Sequence, residues 1–298
     1  MSNWKINLLN KTAIIKDVDN CKKATESILC KVPSNIEEDS WPYVKEKQVI
    51  GLDCEGVNLG ERGELTLIQI VTKEKIYIFD VQECHMMMEN GIKDILENNN
   101  IIKVVQACRN DVLNLFYQFG VQLNCVFDTQ VAHGIITKQN GGGGDFRAGL
   151  NLISECYGVP PNPLKIDIKN IYKRNQKYWS ERPLTEEMIL YAAADVEHLI
   201  SDNMYKTMLE AIDDRHKFLF KKICMEKTVI NQRNNSRSNE QMVRNAYHRQ
   251  NKNKYRPRGR NYRNQTFETS RNYKPYRDNY RVHKKDRNHY SRVSYRRN

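Results

Sequence analysis

Asp53 and Glu55 stand two residues apart at the end of the apolar run Val49-Ile50-Gly51-Leu52. On a strand, residues i and i+2 point to one face, so both carboxylates can hold a single cation. The pair alone says little, because Asp195-Val196-Glu197 repeats the pattern. Asp111 follows in Gln106-Ala107-Cys108-Arg109-Asn110-Asp111. An Asp in the first turn of a helix is ordinarily just favourable with the helix dipole. Tyr191 and Asp195 bracket three alanines, and at i and i+4 the phenol and the carboxylate share one helix face. His198 lies on the same stripe and reads as a packed or surface residue. Taken together the pieces mean more. A two-metal centre needs several hard oxygen ligands converging from different elements, with the ions about 3.5–4 Å apart. Four carboxylates on a strand end and two helices, plus one hydroxyl, meet that need.

The elements that must carry these groups follow from the pattern of apolar residues. Residues 48–54, 65–71 and 76–81 are β-branched-rich runs separated by Gly or charged residues, which predicts a three-strand meander. Helix-length and strand-length segments then alternate: helix at 92–97, strand at 102–105, helix at 111–119, strand at 125–127. Such alternation implies parallel crossover units and a mixed sheet flanked by helices. Residues 13–15 suggest a short strand, followed by a helix to Leu29 capped by Asp17 or Asp19. A long helix is expected after Pro183, with Thr185 as N-cap, Glu186 and Glu187 in its first turn, and apolar positions through Ile200. The four-glycine stretch 141–144 lacks the GKS or GKT ending of a phosphate-cradling loop.

Charge divides the 298 residues unevenly. Residues 231–298 carry 20 Lys and Arg against four acids, a net +16, and the remainder carries 28 against 32, a net −4. A domain at 1–226 and a basic tail at 227–298 are expected, the tail being too poor in apolar residues to fold alone. In the tail Tyr interleaves with Arg, as around Arg256, Arg258 and Arg260. Guanidinium groups neutralise phosphates and tyrosines stack on unpaired bases, so single-stranded RNA is the expected partner. The eight cysteines form no CxxC pair and sit in apolar runs. They read as reduced thiols of a cytoplasmic or nuclear protein. No run approaches the roughly 20 apolar residues of a membrane helix, and no membrane partner is expected.

The ordered motifs resemble the DEDDy 3′–5′ exonucleases related to RNase D. They are Asp53-x-Glu55, Arg109-Asn110-Asp111 with Phe127-Asp128-Thr129-Gln130, and Arg182-Pro183-Leu184-Thr185 leading to Tyr191-Ala192-Ala193-Ala194-Asp195. Asp53-Cys54-Glu55-Gly56-Val57-Asn58-Leu59-Gly60 and Ile171-Tyr172-Lys173-Arg174 with Trp179 are similar to the Egalitarian-like branch, which includes the exonuclease-domain proteins of piRNA biogenesis. Spanning roughly residues 13–215, the resemblance implies an α/β, RNase H-like fold with a mixed five-stranded sheet.

It further implies that Asp53, Glu55, Asp111 and Asp195 ligate two Mg²⁺ or Mn²⁺ ions, and that Tyr191 orients the attacking water. Asp128, outside that set, is expected to cap the helix of Thr129 and Gln130, and Thr66 and Leu67 to touch the terminal nucleotide. Metal-dependent release of nucleoside 5′-monophosphates from RNA follows as the expected activity. The rival expectation is an RNA-binding adaptor in a ribonucleoprotein with partner proteins, of the piRNA-biogenesis or mRNA-transport type, with an idle nuclease site.

Overall fold

The computed structural model describes residues 3–33, 47–144 and 146–230. The chain enters through helix α1 (Asn3–Lys11), strand β1 (Thr12–Ile15) and α2 (Val18–Leu29). Asp17 caps α2, its carboxylate accepting from the Asn20 amide. The expected meander is β2 (Gln48–Val57), β3 (Glu64–Val71) and β4 (Ile76–Asp80). The alternating half follows as α3 (Ile92–Glu97), β5 (Ile101–Val105), α4 (Arg109–Phe119), β6 (Val126–Asp128) and α5 (Thr129–Gln139). Then come α6 (Leu150–Cys156), α7 (Lys165–Arg174), α8 (Glu186–Glu197), α9 (Thr207–Ala211) and α10 (Asp214–Thr228).

The sheet has six strands rather than five, in the order β1-β4-β3-β2-β5-β6. β2, β3 and β4 are antiparallel neighbours, whereas β5 runs parallel to β2 and β6 parallel to β5. The added strand is β1, which pairs in parallel along β4 from Thr12↔Ile76 to Ile15↔Phe79. It covers an edge of β4 that would otherwise present unpaired backbone groups. With four residues, β1 is too short for its own period to announce the pairing.

Each face of the sheet buries its own core, as a three-layer α/β architecture requires. Ala24 and Ile28 of α2, Ile92 and Ile95 of α3 and Leu115 of α4 pack on one face. On the other, Ala132 of α5, Ile168 of α7, Leu190 and Val196 of α8 and Phe220 of α10 pack together. α8 stops at Glu197 rather than continuing to Ile200. Ser201 then starts a separate turn, its hydroxyl accepting from the Met204 amide. Leu199 still reaches the core, which is why the apolar spacing outlasts the helix. Among the described residues no helix is long and apolar enough to cross a membrane. Arg256, Arg258 and Arg260, with the expected disorder of the tail from residue 231, lie outside the described residues.

Candidate functional site

The site begins where β2 outruns its parallel neighbour. Pairing with β5 ends at Gly51↔Val104, yet β2 continues to Val57. Asp53 and Glu55 therefore lie within β2, beyond the reach of β5, with Gln69 and Leu67 of β3 opposite them. A register shift between Glu55 and Gly56 bends the strand there. β5 meanwhile gives way to a turn in which Ala107 takes a φ of 57°, and the chain enters α4. The gap lies outside the carboxyl ends of the two parallel strands, the usual place for a ligand in an open α/β sheet.

Two helices close on this gap. α8 is set at its start by Thr185, whose hydroxyl accepts from the Met188 amide at 3.2 Å. Arg182 grips Asp80 with paired 2.6 Å hydrogen bonds from Nε and Nη2, a geometry that fixes direction as well as distance. Further along, a Cβ at Gly51 would fall 2.5 Å from Val71 Cγ1 and 3.0 Å from the Leu199 Cβ. The bare glycine thus lets the chain beyond α8 lie close against β2. Ala192 and Ala193 are fully buried, and Asp195 faces the two acids of β2. On the other side, α4 is docked through Gln118, which bonds the amide and carbonyl of Leu65 at 2.8 and 3.1 Å. The turn before α4 hangs on Asp128. Its buried carboxylate accepts from the amides of Ala107, Cys108, Gln130 and Val131 and from Lys227 Nζ at 2.9 Å. Asp128 is thus the cap of α5, as expected, and also an organiser of the α4 entry.

Asp53, Glu55 and Asp195 each present an oxygen within 4.8 Å of the others. Asp111 stands outside that triad but inside its field. Burial, then the charge of Asp53, holds its carboxyl well above the usual range. Burial pushes Asp53 up to about 7, with Asp195 adding to the effect and Lys165 opposing it. Glu55 is raised well above its ordinary value by burial, then by Asp53 and Asp195. Crowded, desolvated carboxylates of this kind are a donor set for a hard divalent cation, which would relieve their repulsion. Gln69, opposite Asp53 and fully buried, has no hydrogen-bond partner for either amide atom among the described residues. It supplies a further polar group beside the acids.

Tyr191 is nearly buried and packs at 5.5 Å between ring centroids against Trp179. Burial first, then Asp195 and Glu55, raises its phenol far above the usual value, so the hydroxyl stays protonated. Thr66 and Leu67 are fully buried in β3 beside Glu55, Thr66 donating to the Glu55 carbonyl at 3.2 Å. Neither is among the residues lining the cleft of about 820 Å³ that opens here. His198 approaches Glu197, at 3.6 Å, and not the acids of the cluster.

Two residues of the site carry no mark in the motifs. Lys165, at the start of α7, pairs with Asp195 Oδ2 and sits 4.8 Å from the Tyr191 ring centroid. Burial alone would depress its ammonium, but the charges of Asp195, Asp53 and Glu55 prevail and raise it. Asn162 donates to Asp195 Oδ1 at 2.8 Å and to the Tyr191 carbonyl at 3.1 Å, while its own Oδ1 accepts from the Leu164 amide. The signal for Asn162 is its place in Pro160-Pro161-Asn162-Pro163, where an Asn side chain is the local group able to satisfy the turn. Lys165 has no local signal.

A family model described as 3′–5′ exonuclease matches residues 29–213. An Egalitarian protein homolog of Caenorhabditis elegans is 31% identical over 191 residues, covering 61% of this chain and 32% of that protein. The piRNA biogenesis protein EXD1 of Mus musculus is 26% identical over 204 residues, covering 63% of this chain and 35% of that protein. The chain spans about a third of the length of these relatives. Among solved structures, Trypanosoma brucei RNase D in complex with RNA U12 superposes with a TM-score of 0.54 at 20% identity, covering 76% of each chain. At that identity the likeness is one of fold.

Proposed function

Because the chain belongs to the 3′–5′ exonuclease family, we propose that it is a metal-dependent exoribonuclease releasing nucleoside 5′-monophosphates from the 3′ end of single-stranded RNA. The observation that carries this reading is the convergence of Asp53, Glu55 and Asp195 within 4.8 Å, with Asp111 adding its charge from α4. These four carboxylates would hold two Mg²⁺ or Mn²⁺ ions. Ions bound there would acidify the attacking water and stabilise the leaving 3′ oxygen.

The chain's own groups do the rest. Tyr191, kept protonated and braced by Trp179, holds the attacking water by a hydrogen bond and contributes no charge. Asn162 fixes the Asp195 carboxylate from behind. Asn58, Asn110 and Asn151 line the cleft and offer donors and acceptors to a terminal nucleotide. The basic tail gathers RNA by neutralising phosphates.

A second reading, the RNA adaptor with an idle site, is favoured by one contact. Lys165 already neutralises Asp195. The two are separated by incubating the purified full chain with 5′-labelled and 3′-labelled single-stranded RNA in Mg²⁺ or Mn²⁺, with EDTA as control. The exonuclease shortens 5′-labelled RNA stepwise and frees labelled monophosphate from the 3′ end in metal alone. RNA left intact in both metals would sink the enzyme reading.

A further inference from the structure

Five cations and one acid, Asp167, occupy residues 165–177, on a body whose remaining charge is acidic. Three of the cations, Lys165, Lys169 and Lys173, recur at intervals of four and so share one face of α7. Like charges at that spacing destabilise a helix unless something anionic lies against them. Lys165 has Asp195. Lys169, Lys173, Arg174 and Lys177 have no acid within ion-pair distance among the described residues. Lys169 and Tyr172, like Lys165, line the cleft over the carboxylates, whereas Lys173 is exposed beyond it. The stripe therefore starts at the metal-binding acids and leads out of the cleft. Its successive cations are about 6 Å apart along the helix axis, a spacing of the same order as that between neighbouring phosphates of a single strand. Tyr172 lies between them and is itself fixed, its hydroxyl accepting from the Asn58 amide at 2.8 Å. A held aromatic ring between lysines suits a strand whose bases are unpaired.

Building on the exonuclease reading above, we infer that the Lys165–Lys169–Lys173 face of α7, with Tyr172, is the track for the RNA strand behind its 3′ terminus. Lys169 and Lys173 contact the second and third phosphates from that end. The terminal nucleotide enters the acidic cluster, and the track holds the strand on the 5′ side. An acidic peptide would lack the regular phosphate spacing and the unpaired bases for which the stripe is arranged.

The test is a series of short single-stranded RNAs, each with a non-hydrolysable terminal linkage and one further phosphate replaced by an uncharged methylphosphonate. Affinity is measured at fixed salt with the full-length wild type and with full-length Lys169→Gln/Lys173→Gln. In the wild type, neutralising the second or third phosphate should weaken binding about threefold or more, the order expected for one phosphate contact. Neutralising phosphates far from the 3′ end should matter less. In the double variant the position-specific weakening should vanish, while binding through the rest of the chain persists. A flat profile in the wild type, or an unchanged profile in the variant, overturns the track. Hydrolysis of unmodified RNA is followed in parallel. A position-specific profile without hydrolysis would sink the exonuclease reading and leave the track standing, whereas hydrolysis with a flat profile would sink the track alone.

Discussion

Lys165 of α7 holds Oδ2 of Asp195 while the Asn162 amide holds Oδ1 at 2.8 Å, so both oxygens of this buried acid are engaged. A divalent ion that draws on Asp195 competes with this ammonium for Oδ2. Lys165→Met keeps an unbranched side chain and removes the competing charge. It should bind Mn²⁺ at least about tenfold more tightly, since a hydrogen bond to a charged group contributes roughly 1.5–3 kcal/mol. Titration calorimetry on the full chain reads this directly. Equal affinity in the two proteins would show that the Lys165 contact offers the ion no resistance.

A second lysine makes stability depend on pH. Lys103 on β5 is fully buried, with its Nζ donating to the Asn98 carbonyl at 2.7 Å. Burial lowers its pKa to about 7 from an ordinary 10.5. Between those values the unfolded chain binds the proton and the folded chain does not. The Lys103 contribution to stability should therefore rise as pH increases from about 7 towards 10, with its penalty fully present below 7. The crowded carboxylates, held above their ordinary range by burial, act in the opposite sense but are common to wild type and Lys103→Met. Urea unfolding in EDTA at about pH 7.5 and about pH 9.5, both inside that window, should show wild type gaining stability relative to Lys103→Met. A difference between the two proteins that stays constant across the window would contradict the assignment.

The tail's part is read from salt. Residues 231–298 carry 20 Lys and Arg against four acids. Truncation after Ile230 should weaken RNA binding and reduce the slope of log K against log salt by about 0.7 for each phosphate the chain no longer neutralises. If affinity and slope are both unchanged, the tail serves something other than RNA.

Much of this site was legible because its chemistry is local. Asp53 and Glu55 share a strand face at i and i+2, and Tyr191 and Asp195 share a helix face at i and i+4. Both periods survive in the structure. Caps at Asp17, Asp128 and Thr185 were legible for the same reason. What was hidden depends on segments far apart in the chain. Lys165 meets Asp195 across 30 residues and Arg182 meets Asp80 across 102. The β1–β4 pairing joins a four-residue strand to a distant one, from Thr12↔Ile76 onward. No periodicity records such a meeting, because the packing of the sheet and its helices creates it.

On the proposed reading, a change at Tyr191 should separate catalysis from metal holding. Tyr191→Phe removes the hydroxyl and keeps the ring against Trp179, so packing should survive. Losing one positioned hydrogen bond in the transition state should slow single-turnover release on the order of 10²-fold, with Mn²⁺ affinity unchanged. Indistinguishable rates in the two proteins would remove Tyr191 from the reaction.

The most direct measurement compares monophosphate release by wild type and Asp53→Asn on the same 3′-labelled RNA in Mg²⁺ and Mn²⁺, beside a gel-shift titration of both proteins. Asp53 shares the cluster with Glu55 and Asp195 and feels the charge of Asp195 directly, and the amide preserves its size. Wild type should release 5′-monophosphates in metal and none in EDTA. Asp53→Asn should release none in either metal while binding RNA as wild type does. Undiminished release by Asp53→Asn would contradict a metal-dependent exonuclease site at this cluster.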